Sequence, residues 1–210
     1  MVIRIKKIYK LPFTIYHLRA KRPGLSLIEL QIVVAILGGI ALVTGAVYYT
    51  YTRLINEERI TIEIASQNRN AIDEMTNQIR EAQSVAMGCT ICGSVTDSTS
   101  QVLILSLWPI DAGGDLFAPT GNEYDYMVYR LDSAPNDTNL LKEIIGNGTG
   151  SSRINTSKIL ASNVDSLEFA YDNADPAQAT EVAVTLTNQK TSFVKTHTLS
   201  QSSKALLRNK

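Results

Sequence analysis

Leu25-Ser26-Leu27-Ile28-Glu29-Leu30-Gln31-Ile32-Val33-Val34-Ala35-Ile36-Leu37-Gly38-Gly39-Ile40-Ala41-Leu42-Val43-Thr44-Gly45-Ala46-Val47-Tyr48-Tyr49-Thr50-Tyr51-Thr52 contains a single charged side chain, Glu29. From Leu30 to Thr52 there is none. A membrane-spanning helix needs roughly 20 such residues. A secretory signal has an apolar core of only about 7–15 residues, shorter than this run. Tyr48, Tyr49 and Tyr51 close the run, where aromatic groups meet a lipid–water boundary. Gly38, Gly39 and Gly45 leave three readings open: close helix packing, points of bending, or glycine tolerated in lipid.

On the N-terminal side lie seven basic side chains, Arg4, Lys6, Lys7, Lys10, Arg19, Lys21 and Arg22, and no acid. Basic residues ahead of a span place that end in the cytoplasm and send the rest of the chain outward. The whole chain is neutral, with 20 basic and 20 acidic groups, so residues 25–210 keep 13 basic against 20 acidic. A net negative outer part lacks the positive footprint of a nucleic-acid-binding domain, and strong nucleic-acid binding is not expected. Hydrophobic content of 44% excludes a wholly disordered chain. Two cysteines are too few for a disulfide scaffold.

On the C-terminal side the composition turns polar after Arg53, but helical spacing continues. Ile72, Met75, Ile79, Ala82 and Val85 or Ala86 recur at steps of three and four and form an apolar stripe. No proline occurs from Leu25 to Trp108. One helix from about Leu25 to Met87, ending near Gly88, is therefore expected. Beyond it, short apolar runs alternate with turn residues. Val102–Trp108, Tyr124–Leu131, Leu140–Ile145, the alternation through Leu167, Phe169 and Tyr171, that through Val182, Val184 and Leu186, and a stretch between Phe193 and Leu207 read as strands. The expected fold class is α+β, an antiparallel sheet packed on one long helix.

Glu29 needs an explanation, because a carboxylate inside a membrane segment is costly and marks function by default. Its setting is Lys21-Arg22-Pro23-Gly24-Leu25-Ser26-Leu27-Ile28-Glu29-Leu30. This segment closely resembles the class III signal of type IV prepilins and type II secretion pseudopilins. The resemblance implies cleavage between Gly24 and Leu25 by the membrane prepilin peptidase, then N-methylation of Leu25. It implies that Glu29 neutralises the N-terminal ammonium of a neighbouring subunit and so sets the stagger between helices. The family's first mature residue is usually phenylalanine, and many members carry a proline within the apolar helix. Here those places hold Leu25 and Ala46.

Further along, Asn163-Val164-Asp165-Ser166-Leu167-Glu168-Phe169-Ala170-Tyr171-Asp172, Val182-Ala183-Val184-Thr185-Leu186-Thr187, the helix Arg69 to Val85 and the ending Leu206-Leu207-Arg208-Asn209 are similar to J-type minor pseudopilins and W-type minor pilins. The resemblance implies a pilin-like fold in four parts. Residues 1–24 are a leader, 25–52 a transmembrane and assembly helix, 53–88 its amphipathic continuation, and 89–210 an outward-facing β domain. It implies a structural or assembly-priming filament subunit, first single-pass in the cytoplasmic membrane, then in an extracellular or periplasmic filament. The implied partners are prepilin peptidase, other pilin-type subunits and an assembly platform. The alternative is a filament-tip subunit that binds a surface, DNA or a secreted substrate.

Nothing in the sequence assembles an enzyme or calls for a cofactor. Cys89 and Cys92 form C-x-x-C without a second pair or nearby histidine, so no metal site is expected. They suit a local disulfide in an outward-facing domain, with free thiols as the alternative. Asp111, Asp115, Glu123 and Asp125 match no calcium loop and read as a solvated acidic segment. Gly146-Asn147-Gly148-Thr149-Gly150 lacks the Lys-Ser/Thr of a phosphate loop and reads as a turn. Asn136, Asn147 and Asn155 begin glycan-acceptor triplets of a kind common by accident. His197 stands in an expected strand with no nucleophile motif beside it.

Overall fold

The computed structural model describes residue 24 and residues 26–208, except 94, 96, 120, 122, 133–137, 149 and 193–194. Its first element is helix α1, Leu27–Glu81. The chain divides into two compact units, Met1–Thr50 and Tyr51–Lys210. In the first, the apolar side chains are bare on every side of the helix, with Leu27 76%, Leu37 60% and Leu42 78% exposed. A helix apolar all round needs an apolar surrounding. Among the described residues α1 is the one helix long and apolar enough to cross a membrane.

In the second unit the helix is amphipathic. Ile64, Asn68, Ala71, Ile72, Met75, Thr76 and Ile79 are buried and form one face. This face begins two turns earlier than the apolar stripe in the sequence suggests, because Asn68 is part of it.

The helix ends at Glu81, not at Met87. The last helical bond runs from Ala82 N to Gln78 O at 2.9 Å. The next N–H groups find partners in a strand: Gln83 N donates to Ser106 O at 3.0 Å and Ala86 N to Ile104 O at 2.8 Å. Ser84–Val85 is thus a short strand, β1. Ala82, Val85 and Ala86 are buried as the helical spacing suggested, but Val85 and Ala86 enter different apolar clusters. Adjacent residues facing opposite ways is strand geometry.

Among the described residues seven further strands follow: β2 (Leu103–Leu107), β3 (Asp125–Leu131), β4 (Leu140–Ile145), β5 (Thr156–Ala161), β6 (Val164–Tyr171), β7 (Glu181–Thr191) and β8 (Thr196–Leu206). All neighbours pair antiparallel. They form two sheets, β1-β2-β3-β4-β5 and β6-β7-β8, where one was expected. The break falls at Ser162-Asn163, where Asn163 takes a left-handed φ of 57°. Asparagine tolerates that region better than most side chains. Strand β5 was not anticipated: Thr156-Ser157-Lys158 is exposed, so no alternation announces it.

The main core joins α1 to both sheets. It holds Ile72, Met75 and Ile79 from the helix, Leu105, Met127 and Tyr129 from the first sheet, and Phe169, Val184 and Leu186 from the second. Each such side chain contributes about 1.5–3 kcal/mol by leaving water. Every residue of β2 is buried. Leu103, Leu105 and Leu107 face the helix side, while Ile104 joins a second cluster with Ala86, Cys89, Cys92 and Val128. The segment after β1 therefore roofs the outer face of the first sheet. Tyr171 helps tie it down, donating from its hydroxyl to Thr99 O at 3.1 Å. Burial raises the Tyr171 phenol to about 12, against a lowering hydrogen bond with Ser98.

Ion pairs stitch both flanks of the helix. Glu74 meets Lys142 of β4 at 2.7 Å and Lys158 of β5 at 3.4 Å. Glu63 meets Lys190 of β7 at 3.0 Å. Exposed pairs contribute about 0–1 kcal/mol, whereas Glu74 and Lys142 are part-buried.

Candidate functional site

Gly24 is exposed, and a Cβ placed on it would meet nothing within 4 Å. Among the described residues no contact requires glycine there. Leu25, the expected site of methylation, and the basic leader lie outside the described residues, as do Asn136 and Thr149 of two glycan-acceptor triplets.

The first turn of α1 closes on itself. Ser26 N donates to Glu29 Oε2 at 2.9 Å, and Glu29 N donates to Ser26 Oγ at 3.3 Å. Leu30 N donates to Ser26 O at 3.2 Å, the first helical bond. This reciprocal pair is a capping box, and the spacing Ser-x-x-Glu was the signal for it in the sequence. It satisfies two N–H groups that the start of a helix leaves without partners. Glu29 therefore serves its own helix. Among the described residues no cation lies within ion-pair range of it.

Gly38, Gly39 and Gly45 are likewise free of neighbours at the Cβ position. Packing within the chain does not demand them, and surfaces this smooth suit the approach of another helix.

Cys89 and Cys92 are joined as a disulfide. Both are buried, at 2% and 8% exposure, in the second cluster. The bond ties the roof over the first sheet rather than presenting a thiol to solvent.

The acidic residues Asp111, Asp115, Glu123 and Asp125 have different roles. Asp111 Oδ1 accepts from Gly113 N at 2.8 Å and Asp115 N at 2.9 Å, which shapes a turn. Asp125 is fully buried at the start of β3. Its Oδ2 accepts from Arg153 Nε at 2.8 Å and Ser151 Oγ at 2.7 Å, and its Oδ1 from Asn147 N at 3.0 Å. A buried carboxylate must be paired and hydrogen-bonded, and this one is. Arg153 was not singled out from the sequence; nothing local marks it, since its partner lies 28 positions away.

Asp125 also holds the glycine-rich segment in place through Asn147. At Gly146 a Cβ would lie 2.3 Å from Arg153 O, so only glycine fits this turn. Asn155 accepts from Gly146 N through Oδ1 at 2.8 Å, a structural use of that side chain. His197 sits in β8 with Nδ1 at 3.4 Å from Thr61 Oγ1 of the helix.

No family model matches the chain, and neither a curated protein nor a solved structure matches it.

Proposed function

We propose that this chain is a minor pilin or pseudopilin, a structural and assembly-priming subunit of a type IV pilus or type II secretion-like filament. Its fold is read accordingly as pilin-like. Prepilin peptidase cuts between Gly24 and Leu25 and methylates Leu25. The subunit waits in the cytoplasmic membrane, N-terminus inward, until an assembly platform moves it into a filament.

The observation that carries this reading is Glu29, an acid with no cation in ion-pair range among the described residues, at the head of a bare apolar helix. A simple membrane anchor gains nothing from it beyond a cap. Such a cap contributes about 1 kcal/mol. An ammonium at about 4 Å interacts with a carboxylate by about 4 kcal/mol at an effective dielectric constant near 20. A neighbour's new amino terminus offers the carboxylate a charged partner, which the Ser26 N–H is not. Gly24 supports the same reading, because its lack of a side chain answers to no contact among the described residues. An extended substrate entering a protease cleft is a reason for glycine there.

The test is the N-terminus of the protein recovered from cells. N-methyl-leucine at position 25 is the expected result; a chain still beginning at Met1 in the filament fraction sinks the proposal. Gly24→Trp should leave the leader attached. Glu29→Ala should be cut normally yet enter filaments at least tenfold less.

A further inference from the structure

A groove of about 580 Å³ opens beside the C-terminal end of α1. Arg80, Arg153 and Arg208 line it together with Trp108, Leu116 and Glu81. All belong to the unit Tyr51–Lys210, so the groove is independent of the filament reading.

Its wall is held firmly. Arg153 donates to buried Asp125 at 2.8 Å and, through Nη2, to Trp108 O at 3.1 Å. The Trp108 indole N–H donates to Gln83 Oε1 at 2.9 Å, which fixes the ring while 40% of the residue stays exposed. Leu116 is 63% exposed beside it. Arg208 N donates to Arg80 O at 3.4 Å, bringing the two arginines together.

A single cation in the last turn of a helix is explained by the helix dipole. Arg208 lies outside the helix, so the dipole does not account for it, yet it lines the same groove. Among the described residues neither guanidinium has a carboxylate partner. Glu81, which also lines the groove, accepts from Gln78 Nε2 at 3.3 Å, and Asp125 pairs with Arg153, so the three lining guanidiniums outnumber the two carboxylates. The groove is therefore cationic within a chain whose residues 25–210 hold 20 acidic against 13 basic groups.

We infer that this groove docks a short acidic segment of a partner protein, with carboxylates on Arg80 and Arg208 and an apolar side chain against Trp108 and Leu116. A bare inorganic anion would leave the indole and leucine surfaces unused. A nucleic acid carries its charge continuously and would have to cross the acidic remainder of the domain. A peptide needs to match only the local charge. Arginine and tryptophan are also the side chains that most often anchor protein interfaces.

Trp108 is the only tryptophan of the chain, so its fluorescence reports on this groove alone. The full chain in detergent micelles is titrated with an end-blocked pentapeptide of alternating leucine and glutamate, and with the same peptide carrying glutamine. The expected result is a saturable change with the acidic peptide and an affinity at least tenfold weaker for the neutral one. The double variant Arg80→Gln/Arg208→Gln, which alters exposed side chains, should weaken the acidic peptide at least tenfold with an unchanged circular dichroism spectrum. Equal response to both peptides, or no effect of the double variant, overturns the inference. So does tighter binding of a thymidine oligonucleotide of equal charge. A change in Trp108 emission on dilution without peptide overturns it in favour of a second copy of the chain.

Discussion

Met75 has no exposed surface and lies where the helix meets both sheets. Met75→Ala should cost about 2–5 kcal/mol, because the void has walls on three elements that cannot all close in. Urea unfolding of the outer unit measures it. Glu74 lies in the same helix. Burial opposes its charge, but the Lys142 hydrogen bond and charge, with Lys158, outweigh burial and hold its pKa below the ordinary 4.5. A carboxylate held low contributes stability above that ordinary value and loses it as pH falls through the folded value. Wild type should thus be more stable than Glu74→Gln at neutral pH, and the gap should narrow as pH falls below the ordinary 4.5 and close once the folded-state carboxyl is protonated. A gap that persists in acid would show that shape, not charge, sets the difference. Glu29 has one role implied by the resemblance and another found in the structure. The family resemblance points outward to a neighbour, whereas the capping box points inward to the chain's own first turn.

Among elements, the segment from Ala82 to Ala86, which holds β1, was the least legible. Its apolar residues are spaced like a helix, yet the chain leaves α1 at Glu81 to pair with β2. An edge N–H finds a better partner in Ile104 O or Ser106 O than in a frayed turn. The Cys89–Cys92 bond then pins the roof. A bond closing so short a loop restricts the unfolded chain modestly, by about 2 kcal/mol on the chain-entropy scale. Replacing both cysteines with alanine should lower the unfolding free energy by about that much or less, read from the denaturant midpoint. Alkylation of unreduced protein should label neither thiol. Strand β2 shows the converse difficulty. Being buried on both faces, it gives a nearly continuous apolar run, interrupted only by Ser106, rather than alternation, and only its length and Pro109 marked it as a strand.

For the whole molecule, the boundary between Thr50 and Tyr51 separates a helix segment that buries nothing from a unit with its own core. A chain beginning at Arg53 should be soluble, unfold cooperatively and keep the disulfide. Loss of cooperative unfolding would mean that the apolar segment supports the core. The full chain should partition into detergent, since the exposed aliphatic surface from Leu27 to Val47 has no cover of its own.

The membrane-length run, the amphipathic continuation, most strands and the Gly24–Glu29 constellation were written in neighbouring residues. Periodicity, capping spacing and charge are local properties, so they survive without a fold. The division into two sheets, the early end of α1, strand β5, the Asp125–Arg153 pair and the groove around Trp108 came only from the folded chain. Each depends on which distant backbone or side chain supplies the missing partner. No local pattern encodes that choice, because it is made when the elements compete for the same core.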